Sequence, residues 1–197
     1  MMSATVGAST ATLPDLVDRF FGPGHSRPDL TAQAVGGILC AGLLAWYLAT
    51  APAGSNWSAW QLVLLGVIVL DLIGGILTMS TTAAKAWYHR ADPKARRTRL
   101  VFVSSHVIHL ALVALVLLEQ DWNWLVVSCI SLLAATLVIE FTPRAVKRVA
   151  ATGSFVAVLV LGLILAPLPE ALAWFPALFY LKLLVCFLVP ESEANEA

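Results

Sequence analysis

Six long apolar stretches, separated by polar or turn-forming residues, make up most of the chain. They lie at about residues 32–50, 59–79, 100–119, 122–141, 149–167 and 171–189. An α-helix needs about 20 mostly apolar residues to cross a hydrocarbon core of about 30 Å, and each stretch is close to that length. The pattern therefore predicts an all-α integral membrane protein, a six-transmembrane-helix bundle whose helices we number as the first to the sixth span.

The residues before the first span have a different pattern. Five apolar residues recur there at helical spacing, with charged residues between them: Leu13, Leu16, Val17, Phe20 and Phe21. This pattern predicts a short amphipathic helix, which lies either in the membrane interface or against the loops of its own protein. The predicted organisation is an N-terminal segment 1–30 that carries this helix, a six-helix transmembrane domain 31–190, and an acidic C-terminal tail 191–197.

The charges of the loops predict the orientation of the bundle. Lysine and arginine resist translocation, so they concentrate in cytoplasmic loops. Eleven of the 12 basic residues lie in segment 1–30, loop 80–99 or loop 142–148, and the other three loops have none. Because basic and non-basic segments alternate, we expect both termini to be cytoplasmic. The abundance of Ala and Leu and the short loops are typical of a bacterial inner membrane protein.

The densest group of basic residues lies between positions 85 and 99. Such a group can bind the anionic head groups of membrane lipids, or it can act only as a topological anchor. His89 follows Trp87 and Tyr88 within it, and these three residues form either a gate at the cytoplasmic mouth of the bundle or an interfacial aromatic anchor.

Composition supports the membrane class and excludes a nucleic-acid partner. The chain is 59% hydrophobic and only 12% charged. So few charges cannot cover the surface of a water-soluble protein of this size, so lipid must cover much of it. Basic and acidic residues both number 12, which leaves no surplus of positive charge to attract a nucleic acid.

Four ionisable residues lie deep within the predicted spans: Asp71, His106, His109 and Lys182. At about 1.5 Å per residue, Asp71 lies roughly 17 Å below the outer end of the second span, and Lys182 reaches a similar depth on the sixth. The two histidines bracket that level on the third span, so all four are expected in one layer. Glu140 lies near the cytoplasmic end of the fourth span, where we expect water and head groups to reach it.

The spacing of neighbouring residues indicates how this layer packs. His106 and His109 are three residues apart, so they share one face of the third span. A narrow polar face on an apolar helix is expected to point into the bundle. Gly74 and Gly75 follow Asp71 on the second span, and such small residues allow a neighbouring helix to approach closely.

Three interpretations of the layer remain open. In the first, Asp71 and Lys182 form a structural ion pair. In the second, Asp71, His106, His109 and Lys182 are catalytic. The two histidines and Asp71 then hold a divalent metal such as zinc, or act as acids and bases without one, on a lipid or other small molecule. In the third, they form the proton-coupling site of a small-molecule transporter or channel, which would need a homodimer to enclose a path.

An aspartate on an early helix together with histidines in the bilayer is similar to the seven-span intramembrane zinc hydrolases related to alkaline ceramidases and adiponectin receptors. Those proteins place an HxxxH pair in their last helix. The last predicted helix of this chain carries Lys182 and no histidine. The resemblance therefore extends only to the kind of chemistry, and it assigns no role to any residue of this chain.

Overall fold

The computed structural model describes residues 26–50 and 57–191. Six helical segments within this part are long and apolar enough to cross a membrane: Arg27–Thr50, Ala59–Met79, Ala95–Leu117, Trp122–Phe141, Arg144–Leu165 and Glu170–Phe187. The predicted all-α bundle of six spans is confirmed, and the described residues contain no strand. The predicted amphipathic helix and nearly all of the acidic tail lie outside the described residues.

Hydropathy locates some helix ends better than others. The second and fourth spans begin and end at the predicted residues, whereas the third and fifth begin about five residues earlier, at Ala95 and Arg144. Their first turns contain basic residues, which are good helix formers but are too polar to register as part of a membrane span. A short connecting helix, Thr82–Tyr88, lies between the second and third spans, and the Thr81 side chain accepts a hydrogen bond from its Ala84 N–H.

A tight turn joins the third and fourth spans. Glu119 and Gln120 adopt φ angles of 51° and 71°, the left-handed region that reverses a chain in few residues. The N–H groups of Gln120 and Asp121 both donate to the Ala114 carbonyl, and the Asp121 carboxylate accepts from the Trp124 N–H at 2.9 Å. The two spans therefore form an antiparallel hairpin.

The third span is not a regular α-helix. It consists of Ala95–Ser105, a tightened turn at His106, Val107–Leu112 and a π-helical turn at Val113–Leu117. The wider π turn leaves room for the Gln61 side-chain amide, which donates to the Val116 carbonyl at 2.7 Å.

The sixth span is also irregular. It begins with a 3₁₀ turn at Glu170–Leu172, continues as the α-helix Trp174–Tyr180 and ends as a π-helix at Leu181–Phe187. Lys182 lies in this π-helical segment. Short π-helical insertions occur frequently at functional sites, because they change which side chains face a neighbouring helix.

The core of the bundle surrounds the sixth span, whose Phe175, Phe179 and Phe187 side chains are fully buried. The first span differs, because none of its residues is buried. It packs along the second span, where Gly36 and Gly37 face Leu77. Outward-facing side chains on the bundle are apolar, as on Ile38 and Leu163, which are 76% and 74% exposed. A large exposed apolar surface of this kind is expected to contact lipid and not water.

Candidate functional site

The structure brings together the four ionisable residues that were expected in one layer because of their estimated depth in the membrane. Lys182 Nζ lies 2.6 Å from Asp71 Oδ2, and His109 Nε2 lies 3.1 Å from the same oxygen. The His106 ring stacks on the His109 ring, with centroids 4.9 Å apart and planes 13° from parallel. We call these four residues the polar centre. It connects the second, third and sixth spans.

Burial differs across the polar centre. The Lys182 side chain is 3% exposed, whereas 40% of the Asp71 side chain is exposed. His106 is buried and His109 is partly buried. The lysine is therefore held by the protein, and the carboxylate is the member of the pair that a small molecule can reach.

The lysine side chain passes close to Gly75 on its way to Asp71. A Cβ atom at this position would overlap Lys182 Cε and lie 2.9 Å from Lys182 Cδ. A side chain at position 75 would therefore require the end of the lysine side chain to shift. Gly74, one residue earlier, has nothing within 4 Å of the corresponding position. Of the two glycines expected to permit close approach, Gly75 is the one that does so at the polar centre.

Hydrogen bonding sets the protonation of His106. Its Nδ1 lies 2.8 Å from the Phe102 carbonyl oxygen, four residues earlier on the same span. A carbonyl can only accept, so Nδ1 carries the proton and donates. The lone pair of a neutral His106 is therefore on Nε2. Histidines that bind metals commonly donate their second ring nitrogen to a carbonyl in this way.

His109 has a buried nitrogen without a partner. Its Nε2 faces Asp71, whereas its Nδ1 is buried and has no hydrogen-bond partner among the described residues. Leaving a buried polar atom unsatisfied costs free energy, so such an atom is often part of a site for a ligand or ion.

The donor atoms of Asp71, His106 and His109 lie close enough to share one metal ion. One ligand atom from each residue falls within 4.8 Å of the others. Both contacts to Asp71 use Oδ2, so Oδ1 is left for another partner. Two imidazoles and a carboxylate form the kind of donor set that catalytic zinc uses when a fourth position stays open.

The polar centre opens into a groove with a cavity volume of about 780 Å³. The groove lies between the first, second, third and sixth spans and is mostly apolar. Its polar lining consists of the polar centre, Gln33 and Thr78, and Thr78 Oγ1 donates to Gln33 Oε1 at 3.0 Å. Tyr88 of the connecting helix also lines it, but His89 does not.

His89 instead attaches the connecting helix to the end of the sixth span. Its Nε2 lies 2.8 Å from the Phe187 carbonyl oxygen, so Nε2 carries the proton and donates. Burial lowers the pKa of His89 to about 4, although the hydrogen bond to Phe187 opposes this shift. The imidazole is therefore neutral near pH 7.

The expectation that water reaches Glu140 is wrong. Its side chain is 1% exposed and pairs with Arg99, with Nε 2.6 Å from Oε1 and Nη2 3.1 Å from Oε2. Lys147 Nζ lies 3.5 Å from Oε2. The third and fifth spans begin earlier than hydropathy predicts, and this extension carries Arg99 and Lys147 over the carboxylate. The sequence does contain a signal for this cluster. Glu140, Arg99 and Lys147 are opposite charges that lie at one membrane depth on neighbouring spans.

Comparison with protein-family models, with curated proteins and with solved structures finds no match for this chain. The geometry of the polar centre is therefore the basis for assigning a function.

We predict that Gly75→Ala weakens the contact between Lys182 and Asp71 and that Gly74→Ala does not. The methyl group added at position 75 would overlap the end of the lysine side chain, which would have to shift, so we expect a small loss of stability of about 1 kcal/mol or less. At position 74 the open space should make the change neutral or slightly stabilising, because alanine favours a helix over glycine by up to about 1 kcal/mol. Thermal unfolding in detergent measures the stability of both variants. Equal changes in melting temperature for Gly75→Ala and Gly74→Ala would contradict the steric argument.

The ion pair can be tested with a double-mutant cycle. Asp71→Asn leaves the buried Lys182 ammonium unpaired, which should destabilise the protein by up to about 3 kcal/mol. Adding Lys182→Met should recover much of that loss, because both charges are then gone. The free energies of unfolding of both single variants and the double variant give the coupling. If the double variant loses the sum of the single effects, the two residues are not energetic partners.

His89 should make stability depend on pH. Its folded-state pKa is lowered to about 4, below the ordinary value of about 6.5. Between these two pH values the unfolded chain therefore binds more protons than the folded chain. The contribution of neutral His89 to the free energy of unfolding is complete above pH 6.5 and is lost as pH falls towards 4. We expect the melting temperature of wild type to fall more between pH 7.5 and 5 than that of His89→Gln. Parallel pH profiles for the two proteins would show that His89 is not responsible.

Proposed function

We propose that the chain is a metal-dependent intramembrane enzyme that acts on a lipid. The observation that carries this proposal is the convergence of Asp71, His106 and His109 within 4.8 Å at the floor of an apolar groove. Three protein donors and an open fourth position are the requirements for a hydrolytic zinc site.

The protonation pattern fits a metal better than an empty hydrogen-bond network. His106 has its proton on Nδ1 and its lone pair on Nε2, and His109 has a buried nitrogen without a partner. A purely structural cluster would gain by satisfying that nitrogen with a protein group. A carboxylate oxygen of Asp71 would complete the donor set.

Lys182 adds a positive charge to the polar centre, and this charge is not required for holding a metal. Without a metal, Lys182 and Asp71 balance each other at 2.6 Å. With a divalent cation bound, the centre would carry a net positive charge. Such a centre would favour negative charge that develops on a substrate beside it. We assign Lys182 to stabilising that charge, and a metal held by Asp71, His106 and His109 would supply Lewis-acid chemistry.

The groove favours a lipid as substrate. Its lining is mostly apolar, it reaches the depth of Asp71, and one wall is the first span, which has no buried residue. The first span contributes Leu30, Gln33, Ala34 and Gly37 to the lining. An acyl chain could lie in this groove with its carbonyl linkage beside the polar centre.

A second candidate function follows from the same hydrogen bonds. Lys182, Asp71 and His109 form a continuous chain at 2.6 Å and 3.1 Å, and His106 stacks at its end. Such chains carry protons in transporters. The transporter requires no metal, whereas the proposed enzyme does. A measurement of metal content therefore separates the two functions.

We predict that detergent-purified protein contains close to one equivalent of zinc or another transition metal, measured by mass spectrometry. His106→Ala/His109→Ala should lose it. His89→Gln is the matched control, because it removes a half-buried histidine outside the polar centre and should keep the metal. Lys182→Met should also keep the metal but should release less fatty acid from mixed-lipid vesicles than wild type.

Other results would point elsewhere. Wild type without metal, even after purification with added zinc, would reject the metal enzyme. Proton flux in liposomes that disappears in Asp71→Asn would then support the transporter. Metal retained in the double histidine variant would place the ion at some other site and contradict the assignment of ligands.

A further inference from the structure

A second charged site lies at the basic end of the bundle, the end where the third and fifth spans begin. Two adjoining cavities of about 730 and 350 Å³ share His89, Arg144, Lys147 and Pro190 in their linings. We call them together the basic cavity. Among the described residues, they are lined by seven lysine and arginine side chains and by two carboxylates, those of Asp92 and Glu191. No residue of the polar centre takes part.

The wall of the basic cavity contains a buried surplus of positive charge. Arg99 and Lys147 share the single carboxylate of Glu140, with contacts of 2.6 Å and 3.5 Å. Their side chains are only 11% and 9% exposed. One carboxylate neutralises one cation, so among the described residues this cluster has one positive charge left over. A buried charge without a counterion is costly, so an anion bound here would stabilise the fold.

Among the described acidic residues of the lining, Asp92 does not remove this surplus. Asp92 is engaged by Arg90 at 3.4 Å and by the Lys94 N–H at 2.8 Å. The guanidinium of Arg96 lies 5.3 Å above the ring of Phe141. A guanidinium stacked on a ring keeps its N–H groups in the plane, where they can bind an oxyanion. His89 is neutral near pH 7, so it does not change the charge of the cavity.

The two halves of the cavity differ in character. The smaller half is lined mainly by polar groups, including Arg96 and Arg99. The larger half is more apolar and contains Ala86, Val149 and Val189. Val149 is 74% exposed, although it follows directly after the basic residues that begin the fifth span. An anionic group therefore finds charge on one side and an apolar surface on the other.

We propose that the basic cavity binds a phosphate group, and specifically the head group of an anionic phospholipid whose glycerol and first carbons lie along the apolar half. Arginines recognise phosphate oxygens with paired hydrogen bonds, and basic groups at the ends of membrane spans attract anionic head groups. The site is independent of the metal centre and stands if that proposal fails.

The test uses the full chain in a neutral detergent at about 0.15 M salt, where weak long-range attraction is screened. Three probes are compared by their effect on melting temperature: short-chain phosphatidic acid, inorganic phosphate, and diacylglycerol of the same chain length, which lacks the phosphate. We expect phosphatidic acid to stabilise the protein at the lowest concentration, phosphate to do so at a higher one, and diacylglycerol to have no effect.

Two variants and one control test the site itself. Lys147→Met removes the surplus cation but leaves the Arg99–Glu140 pair, so it should fold and should bind phosphatidic acid about tenfold more weakly, as expected for one lost hydrogen bond to a charged group. Glu140→Gln enlarges the surplus, so it should be less stable alone and gain more from the lipid than wild type. Arg97→Met is the control, because it removes one charge outside the cavity.

Each outcome decides a part of the proposal. If neither phosphate compound stabilises wild type, or if Arg97→Met weakens binding as much as Lys147→Met, the basic cavity is not a specific site. If inorganic phosphate acts at the same concentration as phosphatidic acid, the head-group assignment is overturned and a soluble phosphate takes its place.

Discussion

The contact between Asp71 and Lys182 is the constraint on which the polar centre depends. Two charges in an apolar bundle persist only if each neutralises the other. The 2.6 Å contact joins Asp71 to Lys182, which lies on the π-helical segment of the sixth span and passes close to Gly75 of the second span. Asp71 also contacts His109 and lines the groove. The pair therefore joins the second and sixth spans at the level of the histidines.

The two charged clusters of the bundle differ in their balance of positive and negative charge. At the polar centre, carboxylate and ammonium are balanced, and the histidines add donor atoms without adding charge when they are neutral. At the basic end, Glu140 faces two cations, so that cluster has a surplus. The unpartnered nitrogen and the carboxylate of the polar centre suit a metal cation, whereas the positive surplus at the basic end suits an anion. Donor type and charge together therefore distinguish the ligands we propose for the two sites.

Helix irregularities coincide with the polar centre. The third span tightens at His106 and widens at Val113–Leu117, and the sixth span widens at Leu181–Phe187. Each departure rotates the following residues relative to a regular helix. On the third span, the changes flank the histidines, so their stacking and the hydrogen bond from His106 to Phe102 depend on local backbone geometry.

The sequence by itself determined the six spans, because hydropathy follows directly from the need to match a hydrocarbon core. Depth along each span also placed Asp71, His106, His109 and Lys182 in one layer, because the rise of a helix is constant. Only the tertiary structure decided which atoms meet. Rotation of one helix about its axis is set by packing, so the pairing at Asp71, the burial of Glu140 under Arg99, and the orphaned nitrogen of His109 have no counterpart in a linear pattern.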